Sequence, residues 1–443
     1  MTKLQKEIDT LNFEYRQTQS QIRRNSPRYA TLTQPQPLKL SEIQQEVLDP
    51  DTVLLEYSLG EKRSYLWAVT KGSIKSYELL PRSEIEAAVK RVYALVSDGK
   101  LVIDDKSKID YERESASLSE MLLAPVAGQI KGKRVVIVAD GALQYLSFGA
   151  LPSPNSPKNN RQPLIVENEI VSLPSVSTLA VLRRETANRT SAAKSVAVFA
   201  DPVFTDNDER LAAVKINQPK INEPAKTDFN GSRAFLQRAF NLRGETNEAL
   251  PISRLPFTRR EAEAILSFAP AGTSFKALDF TANRETALSK DLNDYRIVHF
   301  ATHGLLNSEY PELSGVVLSL FNEKGQTVDG FLRLNEIYNM NLSADLVVLS
   351  ACQTALGKQV RGEGLIGLTR GFMYAGSPRV VASLWKVDDV ATAELMKLFY
   401  KKMLQDKMRP AAALRAAKVE MWKQKRWNAP FYWAAFEIQG EWR

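Results

Sequence analysis

Ile297-Val298-His299-Phe300-Ala301-Thr302-His303-Gly304 runs from a nearly unbroken apolar stretch into a polar residue and a glycine. A strand that is apolar at successive positions, not at every second one, has both faces covered, as in a parallel sheet between helices. Val135-Val136-Ile137-Val138-Ala139-Asp140-Gly141 follows the same plan earlier in the chain. Further along, Leu173-Pro174-Ser175-Val176-Ser177-Thr178 parallels Leu349-Ser350-Ala351-Cys352-Gln353-Thr354. Two matches in the same order read as two related α/β units. Asp140 and Val176 stand in the first where His303 and Cys352 stand in the second, so only the second unit carries reactive side chains.

Around these motifs, strands alternate with helices, which argues an α/β fold with a mainly parallel sheet flanked by helices. Strands are expected at Val53–Tyr57, Ser64–Val69 and Ile74–Leu79, and helices at Ser83–Val96 and Glu112–Leu123. Ser83 with Glu86, and Thr258 with Glu261, have capping-box spacing. The second block runs through strands at Ser195–Ala200, Ile297–Phe300, Leu346–Leu349 and Val380–Trp385, and helices at Gly364–Ala375, Val390–Met403 and Ala411–Trp422. Residues 1–37 read as an amphipathic helix (Leu4, Ile8, Leu11, Tyr15, Ile22) and a proline-containing linker. Residues 38–190 form the degenerate unit and 191–443 the active one, with a polar insertion at about 205–250 that reads as mobile.

Composition narrows the chemistry. With one cysteine (Cys352) and two histidines (His299, His303) in 443 residues, a disulfide framework and a Cys/His zinc site are excluded. No metal or cofactor is expected. The net charge of +8 permits an acidic partner without requiring one, and the cations from Lys397 to Arg426 read as solvated helix faces. No run of 18 apolar residues occurs and the first residues are polar, so neither a membrane span nor a signal peptide is expected. Cytoplasm is the expected compartment, where a free thiol persists.

In open parallel sheets, sites form beyond the carboxyl ends of strands, where this reading puts His303 and Cys352. An imidazole can take the thiol proton and return it to a leaving amine. The amides of Gly304 and Cys352 are the candidate oxyanion donors. A buried structural cysteine is the plain alternative, although Gln353 and Thr354 follow at once. His299, inside the apolar run, reads as a hydrogen-bonded core residue.

His299–Gly304, Leu349–Thr354, Gly362-Glu363-Gly364-Leu365 and Ala382-Ser383-Leu384-Trp385 together resemble the hallmarks of CHAT domains, caspase- and separase-like cysteine peptidases usually found behind tetratricopeptide repeats. The resemblance extends over about 25–443, including Leu255-Pro256 and Tyr432–Phe436. It implies a caspase–haemoglobinase fold, a degenerate first unit, and His303 with Cys352 as the catalytic pair. The 443 residues include no repeat array before the domain, as expected of either a free-standing version or an excised portion, which leaves regulation open: a partner protein or a tetratricopeptide module is the expected regulator. Separase-like relatives tend to accept basic residues before the scissile bond. Glu363, Asp388 and Asp389 are the candidate pocket acids, Asp389 with the stronger alternative of capping the next helix. Gly362–Gly367 also matches G-x-G-x-x-G, but a dozen residues separate it from the preceding strand, so helix packing explains it better than a nucleotide. Two functions stand: an endopeptidase acting on protein substrates, or a non-catalytic docking module for a protein or ribonucleoprotein partner. Nucleic acid is not indicated directly.

Overall fold

Apolar strands can be buried on both faces only if helices lie above and below them, and the chain supplies both in alternation. The computed structural model describes residues 36–443 apart from 158, 212–251, 307–313, 351 and 356–362, with Thr10, Glu14 and Gln17 before them, and the side chains of 352–355 and 363–366 fall outside it. The helix expected at the N-terminus and most of the insertion expected at 205–250 lie outside the described residues.

Strands β1 (Thr52–Ser58), β2 (Ser64–Thr70) and β3 (Ser73–Leu79) form an antiparallel meander. Helices α1 (Arg82–Ser97) and α2 (Asp105–Leu123) precede β4 (Arg134–Val138), β5 (Ile170–Leu173) and α3 (Val176–Thr186). There follow β6 (Lys194–Pro202), α4 (Phe257–Ser267), β7 (Ser274–Asp279), β8 (Tyr295–Ala301), β9 (His303–Leu306), β10 (Gly315–Val317) and β11 (Phe331–Arg333). The chain closes with α5 (Leu334–Asn339), β12 (Leu346–Leu349), β13 (Cys352–Ala355), α6 (Glu363–Tyr374), β14 (Arg379–Ser383), α7 (Asp389–Tyr400), α8 (Pro410–Lys423) and β15 (Phe436–Gly440).

Eleven strands make one sheet in the order β3-β2-β1-β4-β5-β15-β14-β12-β8-β6-β7. Pairing is parallel except within the meander and between β14 and β15. The stretches before and after residue 190 build opposite ends of this sheet and meet at β5 and β15, where Ser172 pairs with Gln439. The echoed motifs part company beyond their strands. After β5, Ser175 accepts from the Thr178 amide and caps α3, whereas after β12 the chain enters β13.

Neighbouring residues on β8 show how the layers form, because successive side chains point to opposite faces. His299 faces α4 and α7, its Nε2 2.9 Å from Glu261 Oε1 and its Nδ1 2.9 Å from the Tyr400 hydroxyl. Phe300 faces α6, with its ring centroid 5.7 Å from that of Phe372. His299 is thus the hydrogen-bonded core residue expected of it, fully buried with both ring nitrogens used.

Neither expected capping box forms, because side chains of each are engaged elsewhere. Pro81 and Pro256 occupy the N-cap positions of α1 and α4, neither with a side-chain cap. Glu86 pairs with Arg82, Thr258 receives the Asp201 amide, and Glu261 is drawn inward to His299. Nor are the C-terminal cations all solvated. Lys418 is buried against Glu437, and Arg415 donates to the carbonyls of Ile165 and Val166.

Removing one partner of a buried polar cluster leaves the others desolvated and unpaired, at a higher cost than removing all. His299→Leu is therefore expected to lower stability by about 3 kcal/mol in urea unfolding. Adding Glu261→Leu to that variant should recover part of the loss. A double variant less stable than His299→Leu alone would show that the cluster is not the source.

Candidate functional site

Leu349 on β12 and Phe300 on β8 are register partners in the large sheet. Each chain then continues three residues, to Cys352 and His303, and the two pair again in the same register. These continuations belong to a second sheet of four strands, in the order β11-β10-β9-β13, beyond the carboxyl ends of β8 and β12. His303 and Cys352 therefore begin short strands and do not end the long ones, a correction to the sequence reading. Adjacent strands lie about 4.8 Å apart, so the two residues are neighbours through backbone pairing alone. Gly315 on β10 makes this sheet tight: a Cβ there would lie 2.3 Å from the Leu332 carbonyl oxygen.

His303 is 6% exposed. Its Nε2 lies 2.6 Å from the carbonyl oxygen of Ser253. A carbonyl only accepts, so Nε2 carries the hydrogen and Nδ1 carries the lone pair in the neutral ring. Nδ1 is buried and has no hydrogen-bond partner among the described residues. Phe204 packs edge-on against the imidazole with centroids 5.0 Å apart. Burial holds the ring below its ordinary pKa, the Lys386 cation adds to that, and the Ser253 carbonyl opposes both. The outcome is a neutral imidazole with Nε2 tethered and Nδ1 unpartnered among the described residues.

The remaining nominated residues divide. Gly304 lies on β9 with strands on both sides, opposite Val316 and Gln353. Cys352 opens β13, the edge strand of that sheet. Glu363 opens α6, but its side chain lies outside the described residues. Asp388, not Asp389, caps α7: its Oδ1 accepts from the Ala391 amide at 2.9 Å. An N-cap needs extended backbone, which Asp388 has (φ −68°, ψ 130°), whereas Asp389 is already helical. Asp389 is half-buried and its pKa is raised, first by burial and then by Asp388 and Glu261. Lys386 acts electrostatically on both His303 and Asp389.

Ser253, Phe204 and Lys386 were not foreseen. Ser253 contributes a main-chain carbonyl, which leaves no side-chain signature, and the other two reach His303 only through the fold. Among the described residues no group of three His, Cys, Asp or Glu side chains could hold a metal ion. Nor is any described helix long and apolar enough to cross a membrane.

A family model for the CHAT domain matches residues 112–441. Tetratricopeptide repeat protein 28 of Mus musculus is 34% identical over 105 residues, and the Homo sapiens protein of that name is 33% identical over 105 residues. Each alignment covers 24% of this chain and 4% of the relative, so the chain spans a small part of those proteins. Among solved structures, the Saccharomyces cerevisiae separase–securin complex aligns with a TM-score of 0.53 at 10% identity, covering 90% of this chain and 30% of that chain. Likeness at that identity bears on the fold, and the large, mostly parallel sheet flanked by helices matches the caspase-like fold of separase. With three-quarters of its length inside the matched model, the chain belongs to the CHAT-domain family.

Proposed function

We propose that the chain is a cysteine endopeptidase that cleaves protein substrates through a Cys352–His303 dyad and a thioester acyl-enzyme. The observation that carries this reading is the register pairing of the two residues beside an imidazole tethered at Nε2. Nδ1 takes the thiol proton as sulfur attacks the substrate carbonyl, and gives it to the amine as the C–N bond breaks. Water then attacks the thioester, its proton passing through the same nitrogen, and the carboxylate product leaves with the thiol restored. The Ser253 carbonyl stabilises the imidazolium formed in between. For the oxyanion, the Cys352 amide on the edge strand is the donor we retain, since Gly304 lies between two paired strands.

Asp389 is the carboxylate we assign to a basic substrate side chain, because it is half-buried and makes no hydrogen bond or ion pair to a described residue. Asp388 is committed to its cap. Regulation by a protein partner, or by a tetratricopeptide module of the kind for which the matched relatives are named, is part of the same proposal. So is a cytoplasmic setting, which keeps Cys352 reduced.

A thiol-reactive peptide probe tests the dyad. Cys352→Ala should abolish labelling and His303→Ala should slow it by roughly 100- to 10,000-fold. Equal labelling of wild type and His303→Ala would sink the assignment. Absence of wild-type labelling with candidate activators present would favour the docking module for a protein or ribonucleoprotein partner.

The pH dependence has a definite sign. A base whose pKa is lowered stays unprotonated further into acid, so the acid limb of labelling should fall below the ordinary imidazole value of 6.5. Lys386→Met removes a repelling cation and should move that limb upward. A limb unmoved or shifted downward would show that Lys386 does not act on His303.

A further inference from the structure

The peptide unit that tethers His303 is itself held by an ionic clamp. Ser253 O lies in one rigid plane with the N and Cα of Arg254, so an anchor on the Arg254 side chain restrains the carbonyl's aim. Arg254 grips both oxygens of Asp201, Nε to Oδ1 at 2.9 Å and Nη2 to Oδ2 at 3.0 Å. This is a bidentate fork, the arrangement that sets orientation as well as distance. Asp201 has no exposed surface, and Arg259 also donates to its Oδ2 at 2.9 Å. Its backbone is a bulge at the end of β6 with φ +48°, held by the bond from its amide to Thr258. A non-glycine residue in that conformation is strained, and it persists where its surroundings over-determine it.

The anchor has a fixed relation to the histidine. Ala200 on β6 pairs with Ala301 on β8, two residues before His303. Phe204, three residues after Asp201, packs on the imidazole directly. One strand end therefore reaches the ring twice, through Phe204 and through Asp201, Arg254 and the Ser253 carbonyl. Arg210 joins the same cluster more loosely: it lies 3.3 Å from Asp201 Oδ1 and donates to the Asp201 carbonyl and to Asp208 and Asp279. It has no peptide bond in common with Ser253.

We propose that Arg254 is a positioning residue: its fork on Asp201 aims the Ser253 carbonyl that holds the His303 ring and selects its Nε2–H tautomer. This rests on the dyad reading for its catalytic meaning, but its first readout does not. With two histidines in the chain, ¹⁵N-histidine NMR resolves the tautomer and titration of each ring. In wild type the His303 nitrogens should report hydrogen on Nε2. In Arg254→Met the ring should lose that single tautomer and titrate lower, because the carbonyl that favours its charged form has moved. Probe labelling should fall by on the order of 100-fold. Arg254→Lys, which keeps the charge without the fork, should show the same change in smaller degree. Arg210→Met, which leaves the fork in place, should lower thermal stability and alter the His303 spectrum less than Arg254→Met does.

Identical His303 spectra in wild type and both Arg254 variants, or an Arg210→Met spectrum altered as much as that of Arg254→Met, would overturn the proposal. Altered His303 spectra in a protein that never labels would uphold the clamp and contradict the peptidase reading instead.

Discussion

The parallel pairing of β8 with β12 is the constraint from which the site follows. Those two strands are neighbours in the middle of a sheet whose faces are covered by α4 and α7 on one side and α6 on the other. Because both chains advance by the same number of residues beyond the last register pair, Cys352 arrives opposite His303 without any side-chain recognition. The small second sheet continues the register of the large one. The proposed nucleophile and base are thus brought together by backbone hydrogen bonding, the least sequence-dependent force in the fold.

Side chains then refine what the backbone brings together. His303 is buried by the small sheet and by Phe204, which removes water and lowers its basicity. A carbonyl, not a carboxylate, holds the far side of the ring, so the imidazole is oriented without a second full charge beside it. Acids near this end of the sheet have other duties. Asp201 and Asp279 hold arginines, Glu261 holds His299, and Asp388 holds a helix N-terminus. The two histidines, four residues apart on consecutive strands, accordingly have opposite characters: His299 uses both nitrogens within the core, while His303 keeps one unpartnered among the described residues.

Much of this was legible in the sequence because it rests on patterns that sequence expresses directly. Continuous apolar runs mark buried parallel strands, and β12 spans the expected Leu346–Leu349. A single cysteine and two histidines left few ways to build a dyad. The motifs at His299–Gly304 and Leu349–Thr354 pointed to the CHAT domain, and the family model agrees. Less legible were features that depend on long-range competition. Local spacing assigned Thr258 and Glu261 to a cap, but a buried amide and a buried imidazole claimed them. Asp388 and Asp389 differ by one residue, and only backbone dihedrals decide which is the cap. The Ser253 carbonyl was invisible, since every residue carries the same main-chain group.

The central claim is that Cys352 and His303 act on one another. Because Cys352 is the sole thiol, iodoacetamide consumption at neutral pH measures its reactivity without any assumption about substrate. The account predicts that wild type alkylates at least tenfold faster than His303→Ala, and that His299→Leu, if folded, keeps the wild-type rate. Equal rates in wild type and His303→Ala, at a value no greater than that of a simple free thiol, would contradict it.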